Sequence, residues 1–153
     1  MSGPVRKNLP GKRSWARRCA VQALYEWQMT GQDPALIAAQ FLADQDLGKA
    51  DPAYFQELVH QVPARAAEID AALNPFLDRP LAQVDPVERA ILLIGGYELI
   101  QRPDIAYRIA INEAVELAKV FGAEQGHRFV NGVLDKLARA ARPVEFAVPP
   151  LVR

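Results

Sequence analysis

Cationic and aromatic side chains recur in one stretch near the amino terminus, KRSWARRCAVQALYEWQ, at spacings that suit one side of a helix. At 100° per residue, Arg18 and Tyr25 lie on one stripe, roughly opposite the apolar positions. An arginine binds phosphate or a base edge, and an exposed tyrosine ring stacks on an unpaired base. The pattern predicts a nucleic-acid surface. The alternative is that Tyr25 packs against a neighbouring helix with its hydroxyl in water.

The distribution of charge also favours a polyanionic partner. The chain has 153 residues and a formal net charge of zero, with 18 basic and 18 acidic residues. Its first 25 residues hold no Asp or Glu, so the rest of the chain is acidic on balance. The alternative is a solvated segment that only aids solubility. The basic residues of this segment are Arg6, Lys7, Lys12, Arg13, Arg17 and Arg18.

A second candidate region is the turn FGAEQG, which joins two amphipathic stretches within residues 111–136. Phe121 opens the turn, and Phe129 follows it at the edge of the next apolar face. The free N–H groups at a helix start can receive phosphate. The turn therefore either presents two rings to a ligand or only completes a core.

Residues that would indicate an enzyme are sparse. Cys19 lies on the apolar side of its predicted helix, which is typical of a small core residue. His60 and His127 belong to no metal-binding motif. Glu113 and Glu116 share a helix face, and paired carboxylates can bind metals or transfer protons, yet exposed glutamates at this spacing are ordinarily solvated. We expect no catalysis, no metal and no cofactor. After nucleic-acid binding, a protein-interaction scaffold is the second hypothesis, and a small helical enzyme is the third.

Helix signals dominate the remaining sequence. Asp-Pro pairs that begin helices occur at 33–34, 51–52 and 85–86, Ser14 is a candidate cap for the first helix, and Gly31 is a candidate end. Pro63 should break the helix that contains it. We predict an all-α fold of about seven helices in two small bundles.

The predicted organisation has four parts. They are a flexible basic arm at 1–13, an N-terminal helical subdomain at 14–76, a C-terminal helical subdomain at 77–141 and an extended, proline-rich tail at 142–153. No apolar run reaches membrane-spanning length, and no apolar segment of a secretory signal follows the basic start. The single cysteine excludes an intrachain disulfide, which is typical of proteins in the reducing cytoplasm.

Four stretches carry a resemblance to a known family: ARRCAVQALYEWQ (16–28), YFQELVHQV (54–62), VERAILLIGGYEL (87–99) and INEAVELAKVFGAEQGHRFVNGVLDK (111–136). The chain resembles the bacterial NusB family of transcription antitermination factors over about residues 13–137. The resemblance implies one all-α domain of two helical subdomains. It also implies binding to single-stranded boxA RNA together with the ribosomal protein NusE. That complex joins the RNA polymerase elongation complex with other Nus factors.

The resemblance also assigns roles to individual residues. The family's RNA surface corresponds here to Arg13, Arg17, Tyr25, Phe121, Gln125 and Phe129, and its NusE surface corresponds to Glu88. Three features depart from the family pattern, and one is Arg18, which adds a charge where an acidic residue is common. Ser14 and Trp15 interrupt the first arginine run, and Gln125 stands where Asp is frequent, which removes a negative charge beside phosphate. The sequence leaves open whether the chain forms a homodimer.

Overall fold

A computed structural model describes residues 11–44, 47–122 and 125–147. Every regular element in these ranges is helical, which confirms the predicted all-α fold. The chain divides into two compact units, Met1–Pro63 and Ala64–Arg153. Arg6, Lys7 and the end of the predicted tail at 148–153 lie outside the described residues.

Unit 1 is built from α1 (Lys12–Thr30), α2 (Pro34–Asp44) and most of α3 (Pro52–Ala64). α1 packs on α2, and Phe41 of α2 meets Phe55 of α3 with ring centroids 5.5 Å apart. Small residues dominate the buried side of α1, and this allows neighbouring helices to approach closely. The buried residues of α1 are Ala16, Arg17, Ala20, Val21, Ala23 and Leu24.

All three predicted Asp-Pro helix starts are confirmed. The side chain of Asp33 accepts a hydrogen bond from the N–H of Ala35 at 3.0 Å, and Asp51 caps α3 in the same way. Asp85 accepts from two N–H groups at the start of α5 (Pro86–Gln101). Each carboxylate satisfies N–H groups that have no partner within the helix.

The ends of α1 give one correction and one confirmation. The helix begins at Lys12 with Gly11 as its cap, so Ser14 is already the third helical residue and does not cap it. Gly31 ends α1 as predicted, since its φ of 70° lies in the left-handed region and its N–H bonds to the Trp27 carbonyl at 2.9 Å.

The division between units falls earlier than the predicted boundary at 76/77. The helix that contains Pro63 ends at Ala64, as expected for proline within a helix. The next helix, α4 (Ala66–Leu73), packs against α5 and belongs to unit 2. The 3-10 turn Asn74–Phe76 continues from α4 rather than separating two bodies, which is why Asn74-Pro75 marks no boundary.

Unit 2 surrounds the buried helix α5 with α4, α6 (Tyr107–Phe121) and α7 (Gly126–Ala141). Every residue of α5 from Ala90 to Leu99 is buried. Two glycines allow the close packing: a Cβ on Gly95 would lie 2.6 Å from Leu134, and one on Gly96 would lie 2.8 Å from Ile69. α5 is therefore the core helix against which the others pack.

The described start of the predicted tail is helical rather than extended. Residues Pro143–Ala147 form a short helix, α8. The ring of Phe146 lies 4.2 Å from that of Tyr107, and the Glu145 carboxylate accepts from the Tyr107 N–H at 3.4 Å. These contacts bind α8 to the start of α6.

Arg142 connects the segment before α8 to the end of α5. Its buried guanidinium places all five N–H donors against acceptors, a requirement for a charge taken out of water. The Arg142 hydrogen bond also lowers the pKa of Glu145, so that carboxylate stays ionised. The acceptors are the carbonyl oxygens of Glu98, Leu99, Arg102 and Ile105 at 2.7–2.9 Å and the Glu145 carboxylate at 2.6 Å.

No helix in the described ranges is long and apolar enough to cross a membrane.

Replacing Arg142 with alanine should lower the free energy of unfolding by about 2–4 kcal/mol, because several buried carbonyl oxygens lose a charged donor. Urea denaturation followed by circular dichroism measures this change. Arg128→Ala is the control, since that side chain is exposed on α7 and its removal should cost less than about 1 kcal/mol. Equal losses in the two variants would contradict the assigned role of Arg142.

Candidate nucleic-acid interface

The basic start of α1 is fixed to the start of α3. The Asp51 N–H donates to the Lys12 carbonyl at 3.0 Å, while the Asp51 side chain caps α3. The cationic residues of α1 therefore lie on a helix whose first turn is attached to a second helix of unit 1. Lys12 and Arg13 are exposed there.

The ring of Tyr54 on α3 holds two of these cations. The guanidinium carbon of Arg13 lies 4.8 Å from the ring centroid, and that of Arg17 lies 5.4 Å from it. Both distances are within the range of a cation–π interaction. Arg13 remains exposed, whereas Arg17 is 3% exposed. Arg13 is thus available to a phosphate, and Arg17 has little surface to offer one.

Tyr25 is 41% exposed, which confirms the exposure that the helix periodicity predicts. Gln22 and Met29 are exposed on the same side of α1. The alternative, that a neighbouring helix covers the Tyr25 ring, does not hold within the described residues. An exposed tyrosine on a helix that begins with cations has the chemistry to stack on a base.

Arg18 lies beside a second ring that sequence reasoning did not select. Its guanidinium carbon is 4.6 Å from the centroid of Trp15, and the Lys49 ammonium is 5.9 Å from the same centroid. Trp15 and Arg18 are half-buried, and Lys49 is exposed. The spacing of Trp15 and Arg18 by three residues is a signal that could have identified this pair.

Four cations of unit 1 form no ion pair among the described side chains. Within residues 11–43, 47–122 and 125–147, no acidic side chain pairs with Lys12, Arg13, Arg18 or Lys49. The Asp51 carboxylate is close in sequence but accepts from backbone N–H groups of α3. Unpaired cations beside exposed aromatic surface form an electrostatic site for a polyanion.

In unit 2, the turn between α6 and α7 contains the other predicted RNA residues. Phe121 is half-buried at the end of α6, and Gln125 is exposed as the cap residue of α7. Phe129 is half-buried, with the Arg79 guanidinium carbon 5.7 Å from its ring centroid. Arg79 was missed because it lies far from Phe129 in the sequence. It also pairs with Asp78 at 3.0 Å.

Glu88, the predicted partner contact, lies half-buried in the first turn of α5 and against the first residue of α7. A Cβ at Gly126 would collide with its carboxylate, so glycine makes room for this side chain. Burial raises the pKa of Glu88, and the nearby Asp85 charge adds to this effect, while Arg79 opposes it. Part of the Glu88 carboxylate is thus engaged within unit 2.

Metal and thiol chemistry receive no support from the described part of the chain. No group of three or more His, Cys, Asp or Glu residues there is placed to hold a metal ion. Cys19 is half-buried, and burial raises the pKa of its thiol, which disfavours the reactive thiolate.

Solved structures with a similar backbone define the class of protein. The chain is similar to T. maritima NusB, with a TM-score of 0.74 and 26% identity, over 91% of this chain and 100% of that chain. It is also similar to a chain in the crystal structure of antitermination factors NusB and NusE in complex with dsRNA. There the TM-score is 0.75 and the identity 28%, over 84% of this chain and 97% of that chain. The protein therefore has the all-α NusB fold.

Sequence relatives give the family. The NusB family model matches residues 14–139. The transcription antitermination protein NusB of Nitrosococcus oceani is 56% identical over 90% of this chain and 93% of its own length. That of Shewanella halifaxensis is 53% identical over 87% of this chain and 98% of its own length. The chain belongs to the NusB family.

The raised pKa of Glu88 predicts a pH-dependent stability. A raised pKa in the folded state favours the protonated form, so the contribution of Glu88 is complete below the ordinary value of 4.5 and is lost as pH rises through the folded value. Glu88→Gln cannot ionise, and it should gain stability relative to the parent chain between about pH 4 and pH 7. Urea unfolding across this range measures the difference.

Glu116→Gln, at an exposed carboxylate of α6, controls for the loss of one negative charge. The gain in stability should be larger in Glu88→Gln than in this control. If Glu88→Gln instead loses stability as pH rises, the ionised carboxylate is favoured in the folded state, for example by the helix start at Gly126.

Proposed function

We propose that this protein is an RNA-binding transcription antitermination factor. It binds boxA of nascent ribosomal RNA together with ribosomal protein NusE and promotes read-through by RNA polymerase. The relatives named above carry antitermination in their names, and one solved NusB structure contains NusE and dsRNA. The observation that carries the RNA role in this chain is that Lys12, Arg13 and Arg18 of α1 form no ion pair among the described side chains, with Tyr25 exposed on the same helix.

Binding follows from two complementary contributions. Lys12, Arg13 and Arg18 neutralise phosphates, and this contribution does not depend on base identity. Tyr25 stacks on a base, which is accessible in a single strand but not inside an A-form duplex. Unit 2 contributes Phe121, Gln125 and Phe129 at the turn before α7, a helix start whose N–H groups favour phosphate.

The other parts of the proposal concern the cellular setting. Glu88 is the proposed contact for NusE, and the complete assembly includes the RNA polymerase elongation complex and other Nus factors. Because nascent RNA is the proposed ligand, we propose that the protein acts in the cytoplasm. NusB family membership confirms the prediction that the chain is not an enzyme.

Tyr25→Ala should weaken binding to single-stranded boxA RNA by about 5- to 100-fold, the equivalent of one lost base stack. The melting temperature should change little, because the Tyr25 side chain is exposed. Fluorescence anisotropy with labelled boxA RNA, a scrambled strand and a duplex of the same sequence measures binding. Leu36→Ala, at an exposed residue of α2, is the control.

A scaffold function for the basic segment makes a different prediction. If the parent chain binds boxA RNA no better than the scrambled strand, with and without NusE, the antitermination proposal is wrong. If Tyr25→Ala lowers the melting temperature and leaves RNA binding intact, Tyr25 has a packing role instead.

Glu88→Ala should weaken binding to NusE by roughly 3- to 30-fold, within the range typical of one interface side chain. Its affinity for boxA RNA in the absence of NusE should remain unchanged. Isothermal titration calorimetry measures the first quantity and anisotropy the second. Glu116→Ala, which removes an exposed carboxylate from α6, is the control. Loss of RNA binding alone would contradict the assignment of Glu88 to NusE.

A further inference from the structure

We propose that Arg18 and Lys49, which both approach the indole ring of Trp15, form an additional phosphate site for the RNA. This inference rests on the proposed function and deepens it by adding a residue from the segment between α2 and α3. Lys49 binds the phosphate together with Arg18, and Trp15 is a positioning residue. None of the stretches that carry the family resemblance includes Lys49.

The geometry brings two elements to one ring. Trp15 and Arg18 come from the first two turns of α1, and Lys49 comes from the turn that precedes α3. The guanidinium carbon of Arg18 and the ammonium of Lys49 lie 4.6 Å and 5.9 Å from the Trp15 ring centroid. The two charges therefore lie no more than about 10.5 Å apart, a span that successive phosphates of one strand can bridge.

The turn that carries Lys49 is locally defined. Gly48 has a φ of 58°, a left-handed conformation that favours glycine, and the Ala50 N–H donates to the Leu47 carbonyl at 2.9 Å. Ala50 is buried, and the next residue caps α3. Lys49 therefore extends from a closed turn that is anchored at the start of a helix.

The electrostatics favour an anion at this position. The ring attracts each cation, but the two cations repel each other, and no carboxylate of the described residues is paired with either. The Trp15 indole N–H is buried, so the ligand meets the cations rather than the polar edge of the ring. Phosphate groups bound at the two cations reduce this repulsion and interact with each charge.

Continuity with the rest of α1 favours RNA over an acidic protein segment. Arg18 lies seven residues before the exposed Tyr25, hence on the same side of the helix. One strand can therefore place a base on Tyr25 and a phosphate at Arg18 and Lys49. An acidic peptide has no planar base to use the Tyr25 ring in this way.

The test is a salt titration of boxA binding by Lys49→Ala in the full-length chain, from about 50 to about 300 mM salt. Affinity at the lowest salt should fall about 3- to 10-fold, and the slope of log affinity against log salt should lose about 0.7, the value for one phosphate contact on a single strand. Lys49→Arg retains the charge and should retain the slope. Arg108→Ala, which removes one exposed positive charge from α6, should leave the slope unchanged.

Trp15 provides a second, optical measurement. The chain has two tryptophans, so Trp27→Phe leaves Trp15 as the single indole. Binding of boxA RNA should change its emission, because the cations on the ring move toward phosphate. The additional change Lys49→Ala should reduce this response. Emission that is unaffected by saturating RNA would contradict the role of Trp15.

The outcomes separate this inference from the proposed function. If the parent chain fails to bind boxA RNA specifically, the proposed function fails. If the parent binds but Lys49→Ala behaves like Arg108→Ala, only the Lys49 site is wrong. If an acidic peptide of equal charge competes as well as boxA RNA at this site, the site binds anions without preference for RNA, and the inference is also overturned.

Discussion

Repulsion between like charges is the constraint on which the candidate RNA surface depends. Several cations lie on the first two turns of α1, and carboxylates placed beside them would stabilise the fold but compete with phosphate. Unit 1 also places aromatic rings beside these cations, and a ring attracts a cation without neutralising it. Tyr54 holds Arg13 and Arg17, and Trp15 holds Arg18 and Lys49. Arg13, Arg18 and Lys49 keep surface that an anion can reach, whereas Arg17 is buried.

Unit 2 satisfies a different requirement, which is to position the end of α6 and the start of α7. The glycines at 95 and 96 let neighbouring side chains approach α5 closely, and Arg142 binds the carbonyl groups at its end. α6 and α7 pack against this buried helix and against each other. The two helix ends that flank residues 123–124 are therefore attached to a packed body, with Gln125 exposed and Phe121 and Phe129 half-buried.

Features set by local chemistry were predictable from the sequence, and features set by distant contacts were not. The Asp-Pro helix starts, the end of α1 at Gly31 and the exposure of Tyr25 depend on a few neighbouring residues or on helix periodicity. The burial of Arg17 depends on Tyr54 in another helix, and the role of Arg142 depends on carbonyl groups some forty residues away. A helix wheel contains neither kind of information, because it treats each helix alone.

Contacts between separate elements also change the interpretation of Trp15. Viewed in the sequence, Trp15 interrupts an arginine run that is denser in the family, and this suggests a weaker phosphate surface. In the structure, the indole at this position faces a cation from its own helix and another from the turn before α3. The uncharged indole is therefore a ring that Arg18 and Lys49 both approach. In the proposed phosphate site, a cation from outside α1 adds to those along the helix, so the arginine run alone is an incomplete count of the charges that the site presents.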